Sequence, residues 1–445
     1  MDENARIALE RQNPWWFGKE FDSGINRLQF VPRLRKYMGA GEILLLVGAR
    51  RTGKSTLVYQ IIKDLLNNGT PPEAILFVNL DEPLFQSRSK DPAHLTELIE
   101  RHLVQHNRQN HFYIFLDEIQ SQHYWAQAVK TLHDVRKNIK IVLTGSTSTL
   151  LQSEISTKLS GRYFHITVYP LSFAEYLNFN HVRKPTTIEM IRHFDDYLGY
   201  GAFPRVVLED DSDLKQEILK NYFQTIYLKD IIYPNNIRNN KDVFDLLYFA
   251  ISNIGKMFSY SNIGKTLGIA PETVKEYIWY AESSYLLYTL TKYDVSVKKQ
   301  LANPKKLYCL DTGLVNSISF RFSENRGRLL ENLVYITLRR ENKEIYYHKG
   351  NYECDFLIRD GLKVTEALQV TVSLQDDATR KREIRGLLEA MKVHNLDEGV
   401  IISEKESDVL AIGDQTIRIK PVYEWLMHKC GTDAELNGYG RIHQL

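Results

Sequence analysis

The run Gly48-Ala49-Arg50-Arg51-Thr52-Gly53-Lys54-Ser55 fits the pattern GxxxxGK[ST], and it lies between an apolar stretch ending at Val47 and a helical pattern opening at Lys54. No other feature narrows the fold so far. The glycines let the backbone turn so that successive N–H groups face one concavity, and the N-terminal end of the following helix adds positive potential. Phosphate oxygens suit that concavity. Lys54 would reach the β- and γ-phosphates of ATP, and the Ser55 hydroxyl would ligate Mg²⁺. The expected nucleotide-binding set is therefore Gly48, Ala49, Arg50, Arg51, Thr52, Gly53, Lys54, Ser55 and Thr56.

The residues around this motif alternate between short apolar runs and helical patterns, as a parallel sheet with crossover helices requires. Strands are expected at Ile43 to Val47, Ile75 to Leu80, Phe112 to Leu116, Ile141 to Thr144 and Phe164 to Val168. Between the first two, Leu57, Val58, Ile61, Ile62, Leu65 and Leu66 recur at helical spacing before Gly69. The third strand delivers Asp117-Glu118 to the C-terminal edge of the sheet, where open α/β sheets bind ligands. Asp117 would hold the Mg²⁺ shell and Glu118 would polarise the attacking water. After the fourth strand, Thr144-Gly145-Ser146 could set a hydroxyl beside the γ-phosphate.

A chain of 445 residues suggests about three domains. With 57 basic and 55 acidic residues the net charge is only +2, so any contact with nucleic acid or lipid must come from a local patch. Cys309, Cys354 and Cys430 are far apart and form no CxxC pair, which excludes a disulfide framework and a cysteine zinc site. The N-terminus is too charged for a signal peptide and the apolar runs are too short for a membrane span. A cytoplasmic protein without a membrane segment is expected.

The organisation reads as three segments: 1–170, 171–311 and 312–445. In the second, SYSNIGKTLGIAPETVKEYIWYAESSYLL reads as two short helices around a tight turn, with Pro271 opening the second. The following stretch reads as a β-hairpin wing carrying Lys292, Lys298, Lys299, Lys305 and Lys306. In the third, the helix RGRLLENLVYITLRREN leads into strand-like runs EIYYH, YECDFLI and LKVTEALQVTV, then a charged helix and the strand GVIIS. The fold class is α/β twice over, with a helical middle.

The stretches GARRTGKST, FYIFLDEIQ, VLTGSTSTLL, LSGRYFHITVYPLSFAEYL, YGAFPRVV and NPKKLYCLDTGL resemble signature stretches of a prokaryotic group of AAA+ superfamily P-loop ATPases. In that group a winged helix and a restriction-endonuclease-like domain follow the ATPase. The resemblance covers about residue 20 to the end. It implies a five-stranded ATPase core, Ser146 as polar sensor and Arg162 as the position of an arginine finger, acting in cis or across an interface. Arg205 departs from the pattern, since the group usually carries an acid there.

The same resemblance implies a metal-dependent nuclease site, with an acid on one strand and ExK on the next. Asp355 is in place, but Gln369-Val370-Thr371 stands where ExK is expected. Period-2 alternation puts Gln369 and Thr371 on one strand face, so the geometry survives without the charges. Glu331 on the preceding helix could add one ligand. The set Glu331, Asp355, Gln369 and Thr371 thus reads as a degenerate site in a fold kept for binding or signalling.

For DNA, the second short helix carries a net charge of −2, whereas Thr291 to Tyr308 carries +4, so double-stranded DNA would meet the wing lysines. A protein partner is the other candidate. His102 and His106 read as the edge of an apolar helix face, and Trp15 and Trp16 as packing against the ATPase core. Three functions fit: an ATP-hydrolysing switch or motor, an ATP-regulated DNA nuclease, and a scaffold that binds ATP without hydrolysing it.

Overall fold

The computed structural model describes residues 3–106, 111–146, 159, 161–319 and 326–429; Cys430 and most of the STSTLL stretch lie outside them. The chain divides into two compact units, Met1–Tyr169 with Ser283–Tyr285, and Pro170–Glu282 with Leu286–Leu445. Among the described residues, no helix is long and apolar enough to cross a membrane.

In the first unit, strands β1 (Ile43–Val47), β2 (Ile75–Asn79), β3 (Phe112–Asp117), β4 (Ile139–Gly145) and β5 (Tyr163–Thr167) form one sheet in the order β2-β3-β4-β1-β5. Every pairing is parallel. All residues of β1 and β4 are buried, the mark of strands covered on both faces. Leu44 and Leu46 pack with Leu57, Val58, Ile61 and Ile62 of the helix Lys54–Asn67. Ile43, Leu45 and Val47 face the helices His94–Gln105 and Trp125–Val135. Trp15 and Trp16 both donate their indole N–H to the Ile75 carbonyl. His102 stacks on Trp16 at 5.2 Å, and burial, followed by the neighbouring His106, lowers its pKa to about 4.

The second unit opens with helices, the first two started by capping boxes at Ser172 and Thr186. The helices Tyr260–Leu267 and Pro271–Ser283 follow around a turn so close that a Cβ on Gly264 would lie 2.5 Å from the Ile269 carbonyl. Strands β6 (Met257–Phe258), β7 (Leu287–Thr291) and β8 (Lys305–Cys309) form an antiparallel sheet in the order β6-β8-β7. The expected wing differs in two ways. A helix, Val297–Ala302, fills the connection between β7 and β8. Lys306 is 2% exposed and turned inward, so it contributes nothing to an outer charged surface.

The last sheet combines β9 (Glu344–Lys349), β10 (Glu353–Asp360), β11 (Lys363–Val370), β12 (Glu398–Ser403), β13 (Asp408–Ile412) and β14 (Gln415–Pro421) in the order β13-β14-β12-β11-β10-β9. An antiparallel meander β9-β10-β11 is joined through the helix Asp377–His394 to parallel β12. The hairpin β13-β14, turning at Gly413, was not expected from the sequence. β13 is largely exposed and lacks the apolar alternation that marks a half-buried strand, whereas β14 buries Ile417, Ile419 and Pro421.

Two signature stretches, YGAFPRVV and NPKKLYCLDTGL, meet at one contact. The Asp311 carboxylate accepts from the Ala202 N–H at 2.7 Å and caps the helix Thr312–Ile318 through the Leu314 N–H at 3.2 Å. Gly201 and Gly313 permit the approach, since a Cβ on either would lie within 2.1 Å of a neighbouring oxygen. Asp311→Ala removes a cap and strands a buried N–H. It should lower unfolding free energy by about 2–4 kcal/mol in urea titrations, against a smaller loss for Asp311→Asn.

Candidate functional site

The phosphate loop starts where β1 ends, and its first glycine is fixed by crowding. A Cβ on Gly48 would stand 2.3 Å from the Val168 carbonyl, whose own N–H bonds to Val47 at 2.7 Å. Arg51 and Gly53 take positive φ of 67° and 95°, which turns the loop into the helix Lys54–Asn67. The Thr52 hydroxyl donates to the Ala49 carbonyl at 3.0 Å. The Lys54 ammonium, almost fully buried, donates to the Gly48 and Ala49 carbonyls at 2.9 and 2.8 Å and so lies across the loop.

Sequence reasoning missed what supports this loop from behind. Arg27 is 2% exposed and donates to the Thr52 carbonyl at 2.8 Å and to the Tyr169 carbonyl at 3.1 Å. Gln60, on the phosphate helix, donates to the Ser23 and Ile25 carbonyls, so the segment before the first strand is tied to that helix. A lone arginine in an irregular stretch gives no periodic signal that would have exposed this role.

Asp117 ends β3 and is 4% exposed. Ser55 Oγ donates to it at 2.8 Å and Thr144 Oγ1 at 2.6 Å. Burial, and then the charge of Glu118, raise the Asp117 pKa to about 6, while those hydroxyls and Lys54 pull it down. Thr144 also accepts from the Glu118 N–H at 3.0 Å, so one hydroxyl on β4 fixes both acids. Glu118 sits at φ 55°, a left-handed conformation rare outside glycine, which the surrounding bonds must impose. Gln120 donates to the Glu118 carboxylate and, at 3.0 Å, to Ser146 Oγ. Arg50 approaches the same carboxylate at 3.8 Å.

Lys54, Ser55, Asp117, Glu118 and Ser146 therefore converge at one edge of the sheet. Arg162 does not join them. It precedes β5, and the parallel register pairs Ile43 with Tyr163 and Val47 with Thr167, so Arg162 is at the opposite edge from the loop that follows Val47. A five-residue strand separates the two by roughly 16 Å. Its guanidinium instead bonds to Asp134 at 3.0 Å.

In the second unit Glu331, Asp355, Gln369 and Thr371 do come together, lining a cleft of about 860 Å³. Asp355 lies where the β9-β10 register shifts, a bulge of the kind that re-aims side chains. Its Oδ2 accepts from the Val370 N–H at 3.0 Å, and Gln369 Oε1 accepts from the Asp355 N–H at 3.1 Å. Gln369 Nε2 donates to Glu383 at 2.5 Å, so both ends of that amide are occupied. Thr371 donates to the Ser373 carbonyl at 3.2 Å. Three participants were not expected here: Lys306, Glu353 and Glu383. Glu353 was legible, being two residues from Asp355 on the same strand face. Among the described residues, no group of three His, Cys, Asp or Glu side chains is arranged to hold a metal ion.

Thr144→Val keeps the shape of the side chain but removes a donor from buried Asp117 and an acceptor from the Glu118 amide. It should cost about 1–3 kcal/mol in chemical denaturation, whereas Thr144→Ser stays near wild type.

The profile described as "AAA domain" matches residues 40–177, and a "Domain of unknown function (DUF8612)" matches residues 191–325. A protein of Methanocaldococcus jannaschii described as "Uncharacterized protein MJ1544" is 32% identical over 406 residues, covering 86% of this chain and 88% of the relative. An "Uncharacterized protein" of Haemophilus influenzae is 31% identical over 357 residues, covering 79% and 87%. The solved structure of AMPPCP-bound DnaA from Aquifex aeolicus aligns at 12% identity over 60% of this chain and 90% of that one, with a TM-score of 0.28. The chain therefore belongs to the same family as its archaeal and bacterial relatives and carries an AAA-type ATPase domain in its first unit.

Proposed function

We propose that the protein is a Mg²⁺-ATP-hydrolysing switch whose second unit binds a partner and does not cut nucleic acid. The observation that carries the ATPase reading is the contact of Ser55 with Asp117 at 2.8 Å, beside a Glu118 held in a left-handed turn. A hydroxyl and a carboxylate are hard oxygen donors, which suits Mg²⁺ bound through one or two protein ligands together with substrate phosphates. When bound there, the ion would neutralise charge on the phosphate oxygens. Lys54 is positioned to bind the β- and γ-phosphates, and Glu118 to orient and polarise the attacking water. Ser146, through Gln120, ties the end of β4 to Glu118, which supports a sensor role.

We read the second unit as a winged-helix-like segment followed by a restriction-endonuclease-like sheet. The αβββαβ order from the helix Arg326–Arg340 to β12 supports the latter reading. Gln369 and Thr371 supply neither the carboxylate nor the lysine of a nuclease site, which argues for a binding or signalling role. Double-stranded DNA, if it is the partner, meets Lys292, Lys298, Lys299 and Lys305, since Lys306 is buried.

Steady-state phosphate release tests this reading. Lys54→Ala should lose ATP binding, and Glu118→Gln should keep binding while turnover falls about 10²–10⁴-fold. Stimulation by double-stranded DNA that is lost in Lys298→Ala/Lys299→Ala would assign the partner, and turnover indifferent to DNA would point to a protein. ATP binding with no turnover would replace the switch with a non-hydrolysing scaffold.

The pH dependence has a definite sign. Asp117 binds the metal only when ionised, and burial keeps its carboxyl protonated up to about pH 6. Mg²⁺-dependent nucleotide affinity should fall about tenfold per pH unit below that value, while binding measured in EDTA stays flat.

A further inference from the structure

Lys306 is the most fully enclosed ammonium described in the second unit, and it is surrounded by acids. Its Nζ lies 2.8 Å from Glu331, 2.8 Å from Glu353 and 3.2 Å from Asp355, with a side-chain exposure of 2%. The ammonium donates hydrogen bonds to Glu331 and Asp355, and Glu353 adds an ion pair. Burial works against the charged form, but the carboxylates outweigh it and hold the Lys306 pKa well above its ordinary value. The acids come from the helix Arg326–Arg340 and from β10, whereas the lysine comes from β8 of the three-stranded sheet. Tyr308, also on β8, donates to Glu331 at 2.6 Å, and the Lys306 ammonium lies over the Tyr347 ring, 5.8 Å from its centroid.

We infer that Lys306 is a built-in cation: it occupies the place among Glu331, Glu353 and Asp355 where a divalent metal ion would sit, so the cleft takes no metal while β8 is in position. The spacing fits this assignment, because oxygens 2.8–3.2 Å from the cation suit N–H···O bonds, whereas a divalent ion requires contacts of roughly 2.0–2.6 Å. Gln369 completes the arrangement. Its neutral amide meets the Asp355 N–H and Glu383, so no fourth carboxylate is added around the ammonium. Access of metal to the cleft thus depends on withdrawal of a strand that belongs to another sheet. The inference goes beyond the ATPase reading and does not rest on it.

Mn²⁺ binding followed by electron paramagnetic resonance tests it, with full-length protein free of nucleotide and carrying Asp117→Asn to remove the phosphate-site contribution. The protein with Lys306 intact should show no Mn²⁺ site that Asp355→Asn abolishes. Lys306→Met, which keeps the apolar stem, should gain a Mn²⁺ site at least about tenfold tighter than any in the parent, and Asp355→Asn should remove it. A folded Lys306→Met protein that gains no such site overturns the inference. So does an Asp355-dependent Mn²⁺ site in the protein with Lys306 intact, and this comparison decides alone if Lys306→Met does not fold. Because the readout involves no ATP turnover, its failure is distinguishable from failure of the ATPase reading.

Discussion

Keeping a carboxylate away from water at the end of β3 is the constraint on which the first unit depends. Burying an ionised acid costs several kcal/mol unless hydrogen bonds compensate. Asp117 receives them from Ser55 and Thr144, residues on two different elements. Strand order contributes to this: β4 separates β3 from β1, so Thr144 reaches Asp117 from the neighbouring strand while Ser55 reaches it from the helix that follows the phosphate loop. Thr144 then also holds the Glu118 amide, and the rare left-handed turn at Glu118 is imposed from a neighbouring strand. The loop is fixed from its other side by Arg27 and by the Val168 carbonyl under Gly48.

The second unit meets a similar electrostatic problem with an ion pair cluster. Three acids around one point would repel strongly in a partly buried cleft, and the ammonium of Lys306 offsets that repulsion. Removing one partner of such a cluster leaves an uncompensated charge, which is far more costly than any gain from the intact pair. The lysine comes from outside the sheet that carries most of the acids. β8 is therefore bound to the cleft by charge as well as by packing, and Asp311, two residues beyond β8, is bound to Ala202.

Much of the first unit was legible because parallel strands covered on both faces are written as continuous apolar runs. ILLLV, FYIFL and their companions give strand positions to within two residues. The residues of the phosphate site were legible because their spacing is local. Topology places Arg162 away from this chain's own phosphate loop and so bears on the in-cis alternative alone. Arg162 precedes its strand while the loop follows β1, and in a parallel sheet those are opposite edges, a deduction the sequence allowed. Lys306 shows a limit of local reading. A lysine-rich hairpin reads as solvated, and no alternation along β8 marks Lys306 as inward, since Lys306 to Cys309 are all buried. The pairing of Asp311 with Ala202 joins positions more than 100 residues apart, and no local pattern carries it.

The two sites differ in how their negative charge is met, and the difference bears on where control resides. At Asp117 the carboxylate is met by hydroxyl dipoles, while the Lys54 ammonium is hydrogen-bonded to loop carbonyls. In the cleft the carboxylates are met by a cation fixed to the chain, which cannot be exchanged with solvent and yields only if its strand moves. A ligand can therefore act on the first site by binding, since its affinity there adds directly to the stability of the occupied state. The second site can respond only through displacement of β8.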